Sequence, residues 1–142
     1  MKLNEITSKN IGTALIINSI LLILLQLIFV GVGSYFILSN ITNNGINLII
    51  LIPFIFYSLT ILALPVMAIY PGIRYLKNKP FNINQKIGNT IIILAVIFVL
   101  FELLGSISNL AFLKLLSSIL WGSYLAILGF GIKNIKPNLD AK

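Results

Sequence analysis

Four long apolar stretches separated by short polar segments run the length of the chain. The first extends from about Ile11 to Leu38 and gives way to Ser39-Asn40-Ile41-Thr42-Asn43-Asn44-Gly45, a cluster of turn-forming residues. The second covers about Ile46 to Tyr70 and stops at Pro71-Gly72. The third covers about Ile87 to Ile107, and after the short connection Ser108 to Phe112 the fourth covers about Leu113 to Ile132. All four are dominated by apolar residues, and each approaches or exceeds the roughly 20 residues that carry a helix across about 30 Å of hydrocarbon. The pattern predicts an all-α integral membrane protein, with residues 1–142 forming a single domain of four transmembrane helices in an antiparallel up-down bundle. The first stretch is longer than the roughly 7 to 15 residues of a signal-peptide core, so it is read as a retained span despite the small residues Gly31-Val32-Gly33. Within the second, Pro65 lacks the amide hydrogen owed to the carbonyl of Ile61 and is expected to kink the helix there.

Composition agrees with this pattern. Hydrophobic residues make up 58% of the chain and charged residues 9%, against about half and a quarter in soluble proteins, and no Asp, Glu, Lys or Arg occurs between Lys9 and Arg74. The excess of lysine, isoleucine and asparagine suits an AT-rich prokaryotic genome, in which the sequon Asn40-Ile41-Thr42 is a chance match.

Charge adds an orientation. Nine of the ten basic residues lie in the N-terminus, the middle loop 74–86 or the tail, and only Lys114 falls on the other side of the spans. Positive-inside bias therefore places those three segments, and with them both termini, on the cytoplasmic side of the cell membrane. In the middle loop, Arg74, Lys77, Lys79 and Lys86 stand among Tyr70, Tyr75 and Phe81 with no acid, a composition that suits anionic lipid headgroups at about 1 kcal/mol per basic residue. The positive-inside bias accounts for these charges in full, so nucleic acid is not an expected partner.

The chain has no cysteine and no histidine, which removes thiolate chemistry, disulfide exchange, His-ligated haem and the usual zinc sites; no cofactor is expected. Its three acids are Glu5, Glu102 and Asp140, and two of them sit in polar tails, so a paired-carboxylate acid/base site cannot be assembled within one chain. Small four-span multidrug exporters carry a glutamate in the first span where this chain has Gln26, and four-span disulfide oxidoreductases need cysteines. Size and charge bias are similar to those of bacteriocin-immunity and phage-holin proteins, a likeness of composition and not of motif.

Small and polar residues within the spans recur every seven positions: Gly12, Ser19, Gln26 and Gly33 in the first, and Gly88, Ala95, Glu102 and Asn109 in the third. Seven residues is close to two helical turns, so each set forms one stripe, expected to face the protein interior where small residues admit close helix contact. Ser118, Gly122 and Ala126, four apart, form a similar face on the fourth. The two stripes superpose at an offset of 76, which also sets Ile16-Ile17 over Ile92-Ile93 and Gln26 over Glu102. After the partner helices, Gly72-Ile73-Arg74-Tyr75-Leu76-Lys77 resembles Gly131-Ile132-Lys133-Asn134-Ile135-Lys136 at a different offset, 59. Two tandem helical hairpins would produce both matches; chance alignment of Ile/Leu-rich spans would produce the apolar part of them.

Glu102 is the residue best placed to carry chemistry. It lies 15 residues beyond Ile87, about 22 Å along a helix and in the outer third of the hydrocarbon layer. A carboxylate there is costly unless protonated, hydrated or paired, and Lys114 and Gln26 are its expected neighbours in an intramembrane polar site. Two functions fit. One is a non-enzymatic accessory subunit, stabiliser or immunity-type protector that acts by helix contacts with a membrane-protein partner. The other is a small oligomeric transporter or channel using Glu102 and Gln26.

Overall fold

The structure is a computed structural model that describes the backbone of residues 2–44, 48–105 and 111–136, and within it the side chains of residues 6–39, 52–101, 112 and 114–136. The described residues are helical apart from the segment 77–84, the turn residue Ala68 and the last two positions. Five helical segments follow one another: α1 (Lys2–Asn44), α2 (Leu48–Met67), α3 (Ile69–Leu76), α4 (Gln85–Gly105) and α5 (Ala111–Asn134). Three helices are long and apolar enough to cross a membrane, over Ile6–Ser39, Ile52–Leu76 and Lys114–Asn134. The apolar part of α4 with described side chains, Gln85–Phe101, is shorter.

The ends of the elements have local causes. α1 continues past both expected boundaries because the flanking Lys2–Asn10 and Ser39–Asn44 hold no proline or glycine to stop it. At its 43 residues, it is about 64 Å long, twice what a perpendicular crossing needs. The helix continues through Pro65 and is interrupted three residues later at Ala68. There Pro71 has no amide hydrogen to give the carbonyl of Met67, and α3 restarts the spiral with that proline in its first turn, where it is tolerated. α3 ends in a Schellman motif: Asn78 takes a left-handed φ of 53°, Lys79 N–H donates to Arg74 O at 2.9 Å, Asn78 N–H donates to Tyr75 O at 3.0 Å, and Pro80 follows. Asn84 then caps α4, its side-chain oxygen accepting from Lys86 N–H at 3.0 Å.

α1 packs along α2 and α3, α4 packs along α5, and the two hairpins meet where α1 lies against α5. Among the described residues α2 and α4 do not pack on each other along their lengths, so there the ring of the expected up-down bundle stays open. The core lies toward the end that carries the basic loop, where Ile11, Leu15, Ala68, Tyr75, Tyr124 and Ile135 form one buried cluster.

Both hairpins cross at glycine pairs with the same geometry. A Cβ on Gly12 would lie 2.6 Å from Leu76 N and 2.8 Å from Gly72 O, and one on Gly88 would lie 2.6 Å from Gly129 O and 2.8 Å from Lys133 N. Reciprocally, a Cβ on Gly72 would meet Ile16 Cγ1 at 2.6 Å and one on Gly129 would meet Ile92 Cγ1 at 2.8 Å. α1 and α4 thus correspond at the offset of 76, but their partner helices correspond at 57, Gly72 with Gly129, and not at the 59 that the letters suggested. The letters matched the basic helix ends, whereas the register is set where backbones touch. Gly131 instead faces Tyr75 and Ile11.

Candidate functional site

Toward the end opposite the basic loop, on the side where α2 and α4 stay apart, a cleft of about 570 Å³ opens between the hairpins. Its apolar walls are Phe29 and Val30 of α1, Phe54, Tyr57 and Ile61 of α2, and Phe98 of α4. Its polar lining is Gln26, Ser58, Lys114, Ser117 and Ser118.

Two of the serines are held by the helix that carries them. Ser58 Oγ donates to Phe54 O at 2.7 Å and Ser118 Oγ donates to Lys114 O at 3.0 Å, so both hydroxyls spend their proton on the preceding turn and present only lone pairs elsewhere. Gln26 Nε2 donates to Ser117 Oγ at a long 3.4 Å across the α1–α5 contact. About two turns toward the basic end, Asn18 pairs with Ser123 Oγ at 2.9 Å. Turned over, its amide also accepts from Tyr124 N–H and donates to Leu120 O, each at 3.2 Å, which satisfies both its ends. Two amide–hydroxyl pairs therefore fix the register of α1 on α5, as interhelical polar contacts do in membranes. Nearer the basic end, Tyr124 Oη donates to Ala68 O at 2.8 Å and Ser8 Oγ to Tyr75 O at 2.7 Å, tying α5 and α1 to the α2–α3 junction and α3.

Gln26 and Lys114, named from the sequence, line one cleft. Glu102 stands on α4, but its side chain lies outside the described residues, as does Asn109. In the first stripe, Gly12, Ser19 and Gln26 are buried and Gly33 is half-buried against Phe54. In the second, Gly88 and Ala95 are buried against α5. On α5, Ser118 and Gly122 are buried, Gly122 against Val99, whereas Ala126 is half-buried beside Ile11 and Ala14.

In the basic loop, the Arg74 guanidinium sits 4.6 Å from the centre of the Phe81 ring and its Nε donates to Lys79 O at 3.0 Å. It braces the loop, while Lys77, Lys79 and Lys86 are exposed.

Asn18, Ser58, Ser117 and Ser123 were not singled out from the sequence. Asn18 and Ser117 adjoin Ser19 and Ser118, and a strict seven-residue spacing passes over them. Counting every polar side chain inside an apolar span would have found them, because each needs a partner there.

The lining holds no carboxylate, imidazole or thiol among the described residues. It offers oxygen acceptors, one amide and the Lys114 ammonium on apolar walls, an arrangement suited to binding by packing and hydrogen bonds. Comparison with family models, with curated proteins and with solved structures found nothing that matches this chain.

Proposed function

We propose that the chain is a four-span protein of the cell membrane with both termini cytoplasmic, and that it is a non-enzymatic accessory subunit, stabiliser or immunity-type protector. It works by helix contacts with another membrane protein. The observation that carries this reading is the polar lining of the cleft on the side where α2 and α4 stay apart. At membrane depth, hydrocarbon entering the cleft would leave the spare oxygen lone pairs of Ser58, Ser117 and Ser118 unmet, and a helix bearing donors for them would fill the cleft better. The three exposed loop lysines and Arg74 suit anionic headgroups and would fix the depth of the chain.

The test is co-purification of tagged chain in mild detergent, comparing wild type with Ser117→Phe, which fills the cleft. A larger membrane protein recovered at fixed stoichiometry with wild type and lost with the variant is the expected result. Recovery of this chain alone from both would overturn the reading.

A second reading is a small oligomeric transporter or channel with Glu102 and Gln26 as its intramembrane polar site. The cleft volume of about 570 Å³ favours it, since small-molecule sites occupy roughly 300–1,000 Å³.

A further inference from the structure

Asn18 on Ser123, Gln26 on Ser117 and Ile11 beside Gly131 set one antiparallel register between α1 and α5. In that register Lys133 comes level with about Lys9 and Lys114 with about Ile28, while Ala111, where α5 begins, comes level with about Gly31. Lys114 and Lys133 stand 19 residues apart on α5, about 28 Å along a helix, which matches a hydrocarbon layer of roughly 30 Å. α1 nevertheless stays helical to Asn44, and no Asp, Glu, Lys or Arg occurs between Lys9 and Arg74. With α2, which it meets where Gly33 rests on Phe54, it forms an uncharged hairpin tip, residues 31–39 and 52–56, that overreaches the end of α5.

No residue of the tip is buried. Val32, Tyr35, Phe36 and Leu38 of α1 are 47 to 71% exposed, and Ile52, Ile55 and Phe56 of α2 are 47 to 68% exposed. At 3.6 residues per turn these positions cover roughly half of each helix, so the tip is bare on every side but the seam between the two. Ser34 Oγ donates to Val30 O at 2.7 Å and Ser39 Oγ donates to Phe36 O at 2.9 Å, so both hydroxyls spend their protons within α1. A docking face is one-sided and carries groups for a partner to read. A segment that is uncharged, bare all round and turns its hydroxyls onto its own carbonyls suits hydrocarbon.

We infer that lipid covers the tip, and that the leaflet away from the basic loop therefore meets this chain at two heights. Along α4–α5 its edge is marked by Lys114. Along α1–α2 it stands about 15 Å higher, because Leu38 lies about ten residues beyond the level of Lys114. Tilt of the chain and local thickening of the bilayer both bring this about, each at a cost that rises with the mismatch. The chain is thus responsive to bilayer thickness: long-chain lipid covers the tip and short-chain lipid bares it. The inference rests on the proposed membrane insertion and not on the partner assigned to the cleft, although Phe54 at the foot of the tip also lines that cleft.

Because the wild type has no cysteine, Leu38→Cys, Phe112→Cys and Ile20→Cys each report one position. The purified variants are placed in nanodiscs, which leave both faces open, of dimyristoleoyl, dioleoyl or dierucoyl phosphatidylcholine with a fixed share of phosphatidylglycerol. The rate of reaction with a membrane-impermeant maleimide is then measured. Leu38 lies about 12 Å further from the basic loop than Phe112, so a flat leaflet makes Leu38→Cys the faster of the two. The expected result is the reverse order in dioleoyl lipid, with Leu38→Cys several-fold slower than Phe112→Cys, and a several-fold rise in the Leu38→Cys rate from dierucoyl to dimyristoleoyl lipid. Leu38→Cys no slower than Phe112→Cys, or a Leu38→Cys rate that does not change with chain length, overturns the inference. Ile20→Cys, near the middle of the span, should stay inert. If it does while Leu38→Cys reacts fastest in every lipid, insertion stands and only the two heights are lost; if all three react alike, the membrane reading fails as well.

Discussion

Two tyrosines in the buried cluster differ in what their hydroxyls do. Tyr124 donates to Ala68 O at 2.8 Å, at the break between α2 and α3, while the buried Tyr75 hydroxyl has no hydrogen-bond partner among the described residues. Tyr124→Phe should therefore cost about 1 kcal/mol, the usual net worth of such a bond. Tyr75→Phe should be neutral or mildly stabilising, because the ring contacts with Phe81 and Gly131 survive and a dry hydroxyl is removed. Thermal unfolding in detergent compares them, and equal losses would show that ring packing and not the bond distinguishes Tyr124. Glu102→Gln is expected to fold and to retain function in a cell-protection or flux assay, since the amide is what the chain already uses at the corresponding Gln26; a folded, wholly inactive variant would favour the transport reading. At this scale the sequence disclosed Gln26, because an amide inside an uncharged stretch stands out. It did not disclose Tyr75 or Tyr124, because a tyrosine near a membrane edge reads as an interfacial anchor until its hydroxyl's partner is seen.

The helices themselves were legible, since uncharged apolar stretches of this length have few alternatives. Their lengths and breaks were less so. Ser39–Asn44 reads as a turn, yet it extends α1 because local propensity is weak against a long helix already formed. The interruption lies at Ala68, just before Pro71, which the sequence marks as a terminator. The close crossings were visible as spaced glycines, but which glycines meet was not, because Gly129 and Gly131 differ by only two positions and face different helices. That difference gives a direct test. Gly88→Leu should disrupt the α4–α5 hairpin, as its side chain would run into backbone atoms of Gly129 and Lys133. Gly122→Leu should destabilise less, since it meets the tip of Val99, which can turn aside. Gly31→Leu has nothing within 4 Å, and it should be tolerated or gain up to about 1 kcal/mol from helix propensity. Thermal stability in detergent ranks the three, and a stable Gly88→Leu would mean that the crossing is looser than 2.6 Å to Gly129 O implies.

For the whole molecule, the all-helical architecture was readable from the apolar stretches, but the open α2–α4 side among the described residues was not. Sequence periodicity shows which face of a helix is small or polar and says nothing about whether the last pair of neighbours closes the ring. Orientation is independent of that closure: nine of ten basic residues lie in the N-terminus, the middle loop or the tail, so the positive-inside bias predicts that a cysteine introduced at Asn43 or Asn109 reacts with an impermeant maleimide in intact cells, and reaction only after permeabilisation would reverse the proposed topology. The central claim is that the chain acts by contact with a larger membrane protein, and the mass of the complex purified in mild detergent tests it most directly. We expect a mass equal to one or more copies of this chain plus one defined larger protein. A mass made up wholly of copies of this chain would contradict it.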